Sequence, residues 1–201
     1  MKIILASASP RRRELLSQAG ISFQVIPSTL EEVMRGDTPE EIVMSLAEQK
    51  AGDIFEKLCQ EPRLADITDG GDFMVIGADT IVVCDGDRLG KPKDAADARS
   101  MLKRLSGRRH EVYTGVAIYT RRDGVTQRQV FCECTKVDMY PISEAQAQWY
   151  IRSKEPMDKA GGYGIQGRGA VFIRGIEGDY YNVVGLPLAK LWHIIGQSED
   201  V

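Results

Sequence analysis

The sequence predicts an α/β fold, a mixed sheet with helices on its faces, and three observations carry the prediction. A short apolar run, Lys2-Ile3-Ile4-Leu5, leads straight into a proline-initiated helix. Phe73 to Cys84 is β-branched and apolar, the composition of a buried strand. Asp85-Gly86 and Asp123-Gly124 are hairpin signals that mix antiparallel pairs into the alternation of strands and helices. The expected architecture is a single domain over 1–201 with two lobes. One holds the N-terminal strand–helix unit and the 73–84 strand. The other is richer in the 111–138 hairpin, and a central cleft between the lobes is the default place for a ligand.

Each element has a local cause. Ser9 stands at the N-cap before Pro10, and Gly20 supplies the stop. Thr38-Pro39-Glu40-Glu41 is a capping box with proline at the first helical position. Apolar residues then recur at helical spacing to about Leu58. Gln60 to Asp72, with Pro62 and Gly70-Gly71, reads as an exposed loop. The 73–84 strand is expected to break at Gly77-Ala78-Asp79-Thr80, and the chain to return through Arg88-Leu89-Gly90. Asp94 to Leu105 is an amphipathic helix closed by Gly107. Glu111–Tyr119 and Gln127–Asp138 make a hairpin, and Ser143-Glu144-Ala145-Gln146 opens another helix. Ala170–Ile176 and Tyr180–Val184 are expected as a further hairpin around Glu177-Gly178. A last helix follows Pro187, and the final residues are expected to fray.

Composition narrows the function classes. The 201 residues, 43% hydrophobic and 27% charged, suit one sizeable core. A formal net charge of −3 argues against a general nucleic-acid binder. No apolar run approaches the roughly 20 residues that span a bilayer, and Pro10 with three arginines interrupts any signal-peptide pattern. Cys59, Cys84, Cys132 and Cys134 contain no Cys-x-x-Cys pair, and the two histidines lie in unrelated contexts. Reduced thiols fit better than a zinc site, and the chain reads as cytoplasmic.

Several residues are candidates for chemistry. Arg11, Arg12 and Arg13 in the first helical turn oppose the helix macrodipole, so they are either a solvated basic turn or part of an anion site. Asp79 lies inside an apolar strand. A buried carboxylate needs a cation, a metal or a set of hydrogen bonds. Lys91, in Gly90-Lys91-Pro92, returns from a hairpin that begins beside Asp79. It is either exposed or closes on the same cleft. Glu31 and Glu32 sit in a polar connection, and for Glu48 and Lys50 on a helix the default is a solvated face. His110 reads as structural before it reads as a base. In the stretch 158–170 five glycines are interspersed with Asp158, Lys159, Gln166 and Arg168, which implies a backbone close to a ligand. It precedes a strand instead of opening a helix, so it is no dinucleotide fingerprint, and no Walker lysine motif occurs. The sum is a polyanion-binding cleft with a central carboxylate, which fits metal-assisted cleavage of a phosphoanhydride without identifying the substrate.

Taken in order, these segments resemble the Maf family of nucleoside triphosphate pyrophosphatases. The matching blocks are 5–16, Leu46-Ala47-Glu48-Gln49-Lys50-Ala51, Gly77-Ala78-Asp79-Thr80-Ile81-Val82 and Leu89-Gly90-Lys91-Pro92. They continue with Leu105-Ser106-Gly107 through Thr114, Asp158-Lys159-Ala160-Gly161 through Gly167, and Val183-Val184-Gly185-Leu186-Pro187. Any one block is weak; the ordered set over nearly the whole chain is specific. The resemblance implies the elongated fold shared with inosine triphosphatases, and a cytoplasmic house-cleaning enzyme. It would cleave a nucleoside triphosphate between the α and β phosphates with Mg²⁺ or Mn²⁺. It implies Asp79 as proton acceptor, Glu32 with Asp79 toward metal and water, and Lys50 and Lys91 against triphosphate charge. Ser9 and Arg11 fall on the phosphate side. Arg12, Thr80 and Gln166 match the branch acting on dTTP and UTP, with modified pyrimidine nucleotides as an extension; an amide such as Gln166 can pair with a uracil edge. A homodimer is also implied. The alternatives are an inosine-triphosphatase-like purine enzyme and a regulatory binding protein connected with septum formation.

Overall fold

The structure, a computed structural model, describes residues 1–61, 64–68 and 70–196. In chain order the elements are β1 (Lys2–Leu5), α1 (Pro10–Gln18), β2 (Gln24–Val25), α2 (Pro39–Gln60), α3 (Ala65–Thr68), β3 (Phe73–Cys84) and β4 (Asp87–Leu89). There follow α4 (Ala95–Leu105), β5 (Arg109–Arg122), β6 (Val125–Met139), α5 (Glu144–Arg152), β7 (Ile173–Glu177), α6 (Tyr180–Val184) and α7 (Leu188–Gly196). Three 3-10 turns, Glu155–Asp158, Ala160–Gly162 and Gly167–Phe172, lie between α5 and β7.

Helix starts follow the expected chemistry. Thr38 Oγ1 accepts from the Glu41 amide while Glu41 Oε2 accepts from the Thr38 amide, closing the reciprocal cap of α2. Ser143 and Gln146 do the same for α5, and Asp94 caps α4 through the Asp97 amide. Pro10 opens α1 after Ser9, whose side chain makes no capping bond.

Among the described residues the strands form a seven-stranded mixed sheet, in the order β2-β1-β3-β5-β6-β7 with β4 paired to β3. β1 runs parallel to both β2 and β3, in register from Lys2 opposite Phe73 to Leu5 opposite Ile76. The crossover α1 makes the parallel β1–β2 pair feasible. β4 and β7 pair antiparallel with β3 and β6.

Two compact units are distinguished, and β3, β5 and β6 contribute residues to each. The first comprises Met1–Asp79, Thr114–Cys132 and Gly185–Val201. Its core sets Ile4, Phe73 and Val75 against the α2 face of Ala47, Ala51 and Ile54. Phe55 lies between Phe73 and Tyr119 at ring-centroid distances of 5.3 and 5.4 Å. The second unit, Thr80–Tyr113 and Glu133–Val184, has its own core around Leu102, Leu105, Val112, Val137, Tyr150 and Phe172.

Four expectations need correction. β3 is continuous through Gly77. The glycine does not interrupt the strand; it admits a helix backbone, as described below. The connection expected as loop contains α3, because Leu64 and Ile67 have apolar surface to bury against the first core; Pro62 lies outside the described residues. Tyr180–Val184 is a helix and not a strand. Asp179 caps it by accepting from the Tyr181 amide, and buried Asn182 donates to the Val112 carbonyl and to Thr135 Oγ1. These polar anchors override the β preference of Val183-Val184. The strand expected from Ala170 begins only at Ile173, after the third 3-10 turn. α2 also continues two residues past Leu58, to Gln60. The fraying expected at the C-terminus falls on 197–201, outside the described residues.

Candidate active site

Two glycines bring α2 onto the sheet. A Cβ on Gly77 would lie 2.4 Å from the Ala47 carbonyl oxygen and 2.8 Å from the Ala51 nitrogen. On Gly115 it would lie 2.3 Å from the Val43 carbonyl oxygen. Only glycine at both positions lets the helix backbone rest directly on β3 and β5. Along a strand, residues two apart share a face, so Asp79 points to the same side as Gly77, toward α2. Lys50 precedes Ala51 on that helix, and its Nζ reaches Asp79 Oδ1 at 2.5 Å. The solvated face expected for Lys50 is therefore corrected: its side chain is 15% exposed and that of Asp79 16%.

The same ammonium meets Glu32 Oε1 at 3.1 Å. Between Glu31 and Glu32, the ion-pairing carboxylate is Glu32. Its position is secured by the neighbour of Lys50. Gln49 accepts from the Val33 amide at 2.9 Å and donates to the Val33 carbonyl at 2.7 Å, holding both main-chain polar groups of that residue. Ser28, at the start of the same segment, donates to Asp53 at 2.6 Å.

The arginine cluster divides by burial. Arg13 is exposed, Arg11 is half-buried, and Arg12 is only 8% exposed. Arg12 Nε donates to the Gly185 carbonyl, and its Nη1 donates to Ala78 O and Ser7 Oγ, at 2.8, 2.8 and 3.1 Å respectively. Burial lowers the guanidinium pKa from its ordinary value, while the charges of Asp79 and Glu32 oppose that shift. Neither a solvated basic turn nor an anion site describes this residue fully: it ties α1 to the peptide just before Asp79. Ser9 is half-buried, and its amide donates to Ser7 Oγ at 3.3 Å.

The other candidates lie in the second unit. Thr80 is half-buried, and Lys91 and Gln166 are exposed. The carbonyl of Gly90, beside Lys91, accepts from the Gly161 amide at 2.9 Å, so the lysine segment is joined to the glycine-rich stretch. His110 is buried; its Nε2 lies 2.6 Å from the Tyr163 hydroxyl, and burial lowers its pKa to about 4. That supports the structural reading of this histidine. Glu48 lies 3.0 Å from Arg128 Nη1, an ion pair without hydrogen-bond alignment, where a solvated face was expected.

Sequence reasoning missed Gln49, Ser7 and Gly185. A glutamine next to a lysine on a helix carries no signal by itself, and Gly185 is 173 residues from Arg12.

Glu32, Lys50 and Asp79 form a carboxylate–ammonium–carboxylate set able to accept a proton and to oppose phosphate charge. As metal donors, the two acids supply hard oxygen ligands of the kind that Mg²⁺ and Mn²⁺ take together with water and substrate phosphates. Among the described residues no third metal-binding side chain joins them, and no helix is long and apolar enough to cross a membrane.

Residues 2–198 match the Maf-like protein family. A dTTP/UTP pyrophosphatase of Agathobacter rectalis is 50% identical over 193 residues, 95% of this chain and 94% of the relative. The protein of that name from Bacillus cytotoxicus is 49% identical over 200 residues, 99% and 96% of the two chains. That from Bacillus velezensis is 50% identical over 190 residues, 94% and 92%. An alignment of this extent and identity, together with the mixed α/β sheet, shows that the chain belongs to the Maf family.

Proposed function

We propose that the chain is a nucleoside triphosphate pyrophosphatase that hydrolyses dTTP and UTP to the monophosphate and pyrophosphate. The observation that carries this reading is Lys50 held between Glu32 and Asp79 at 3.1 and 2.5 Å, on a helix seated against the sheet at Gly77. Asp79, held by Lys50 through Oδ1, takes the proton of the attacking water. The water oxygen bonds to the α phosphorus as the bond from that phosphorus to the bridging oxygen breaks. The electron pair leaves on pyrophosphate. Lys50 and Lys91 offset the charge that develops. Ser9 and Arg11, at the start of α1, bind phosphate where helical N–H groups point outward.

Glu32 and Asp79 would hold a divalent ion, Mg²⁺ or Mn²⁺. When bound, that ion supplies Lewis-acid polarisation of the phosphoryl oxygens. Gln166 and Thr80 read the base. Arg12 serves specificity by holding the Ala78 carbonyl, one residue before Asp79 and two before Thr80. We also propose that the enzyme is a cytoplasmic homodimer; among the described residues no disulfide joins its four cysteines.

The test is to incubate the protein with dTTP, UTP, CTP and ITP with Mg²⁺ or Mn²⁺ and to separate the products. The expected products are dTMP or UMP with pyrophosphate. Diphosphate with orthophosphate, or no turnover, counts against the reading. Faster turnover of ITP than of UTP moves the chain to the purine alternative.

A further inference from the structure

We propose that Tyr150 and Glu155 are positioning residues for Gln166, acting as a clamp on both flanks of the glycine loop that carries it. The inference rests on the reading of Gln166 as a base-recognition side chain. Tyr150, on α5, is fully buried, and its hydroxyl works in both directions. It accepts from the Gly164 amide at 3.1 Å and donates to Glu155 Oε1 at 3.0 Å. Glu155 Oε1 also accepts from the Gly169 amide at 3.1 Å, and its Oε2 accepts from the Arg168 amide at 3.0 Å. One tyrosine and one carboxylate therefore bind the main chain two residues before Gln166 and two and three residues after it.

The main chain of Glu155 is itself fixed. The Glu155 amide donates to Ser153 Oγ at 3.2 Å, and the Glu155 carbonyl accepts from Lys159 Nζ at 2.7 Å. Burial tends to raise the Glu155 pKa, but the amides of Arg168 and Gly169 and the Tyr150 hydroxyl prevail and lower it. The loop lies so close to the clamp that side chains are excluded. A Cβ on Gly169 would stand 2.8 Å from the Tyr150 hydroxyl oxygen, and one on Gly167, at φ +64, 2.9 Å from Glu155 Oε2.

Gln166 itself is exposed and projects from this clamped segment. A carboxamide donates and accepts, and one orientation of it matches a uracil edge while opposing a cytosine edge. Its power to discriminate depends on where its Cα is held, and that is the quantity the clamp sets. The glycines at 167 and 169 are thus explained by approach to Glu155 and Tyr150, and that at 164 by approach to the Lys159 side chain, where the sequence suggested approach to a ligand.

The test measures kcat and KM for UTP and CTP in Glu155→Gln, Tyr150→Phe, Gln166→Ala and the double variant Glu155→Gln/Gln166→Ala. An amide at 155 leaves one main-chain donor facing another donor, and phenylalanine at 150 removes the relay. The expected result is a rise of roughly tenfold in KM for UTP in each clamp variant, the scale of one buried hydrogen bond. The kcat should stay within about twofold, and the UTP-to-CTP preference should fall. The double variant should discriminate no worse than Gln166→Ala alone, because the clamp acts through that side chain. If Glu155→Gln fails to fold, Tyr150→Phe, which deletes a single oxygen, carries the same comparison. Altered preference in Gln166→Ala with unaltered preference in both clamp variants, or additive losses in the double variant, overturns the clamp alone. Unaltered preference in Gln166→Ala overturns the base-reading role, and the clamp with it.

Discussion

Gly77→Ala tests the packing that makes the site. The added methyl would begin 2.4 Å from the Ala47 carbonyl oxygen, 2.8 Å from the Ala51 nitrogen and 3.0 Å from the Ala51 Cβ. Two of these partners are backbone atoms inside α2, so no side-chain rotation relieves the overlap. The helix must withdraw by close to 1 Å to restore an ordinary carbon–oxygen contact. Overpacking of this kind costs about 1–3 kcal/mol. For a chain of this length about 2 kcal/mol lowers Tm by roughly 4–8 °C. The same withdrawal carries Lys50 away from Asp79, since Lys50 adjoins Ala51, and stretches a contact now at 2.5 Å. Thermal unfolding followed by circular dichroism, with UTP hydrolysis on the folded variant, measures both effects. A Tm within 2 °C of the parent together with undiminished kcat would refute the reasoning that glycine sets the helix-to-strand distance and thereby the ion pair.

Other outcomes follow from single contacts. Gln49→Leu deletes both bonds to the main chain of Val33. Because these groups are exposed, Tm should move by less than about 3 °C, while the Mg²⁺ concentration for half-maximal activity rises several-fold; an unchanged metal requirement separates Gln49 from Glu32. His110 is depressed to about 4 in the folded chain by burial, against an unfolded value near 6.5. As pH falls through 6.5 the unfolded chain takes up this proton first. The contribution is therefore full above pH 6.5 and lost toward pH 4, by about 3 kcal/mol in all. Denaturant titrations at pH 7 and pH 4.5 should show a shallower decline in His110→Gln than in the parent, and parallel declines would refute the assignment.

The legible part of the fold was the part specified locally. Ser9-Pro10, the capping boxes at Thr38 and Ser143, and the Asp85-Gly86 and Asp123-Gly124 turns involve neighbours within four residues, and each element began where its residues indicate. The elements that depart from the sequence expectation depend on distant partners. Tyr180–Val184 has strand-like composition, yet Asn182 finds Val112 and Thr135 from far along the chain. Gly77 looked like a break because the helix that lies on it is some 30 residues earlier in sequence. In the site, Asp79 stood out as an acid in an apolar strand. Its cation did not, since Lys50 reads as a solvated helix position until α2 is seated on β3. Arg12 was visible as a charge but not as a tie, because its acceptors are carbonyl groups, which carry no residue-specific mark.

Hydrolysis of UTP by Asp79→Asn, with nucleotide affinity followed by calorimetry, tests the central assignment most directly. The substitution keeps the shape and one acceptor oxygen for Lys50 but removes the proton acceptor. Turnover should fall by at least about a hundredfold, the lower bound for loss of a general base, with UTP affinity within a few-fold of the parent. Turnover near that of the parent would contradict the account, because the carboxylate held against Lys50 would then not be the group that activates water.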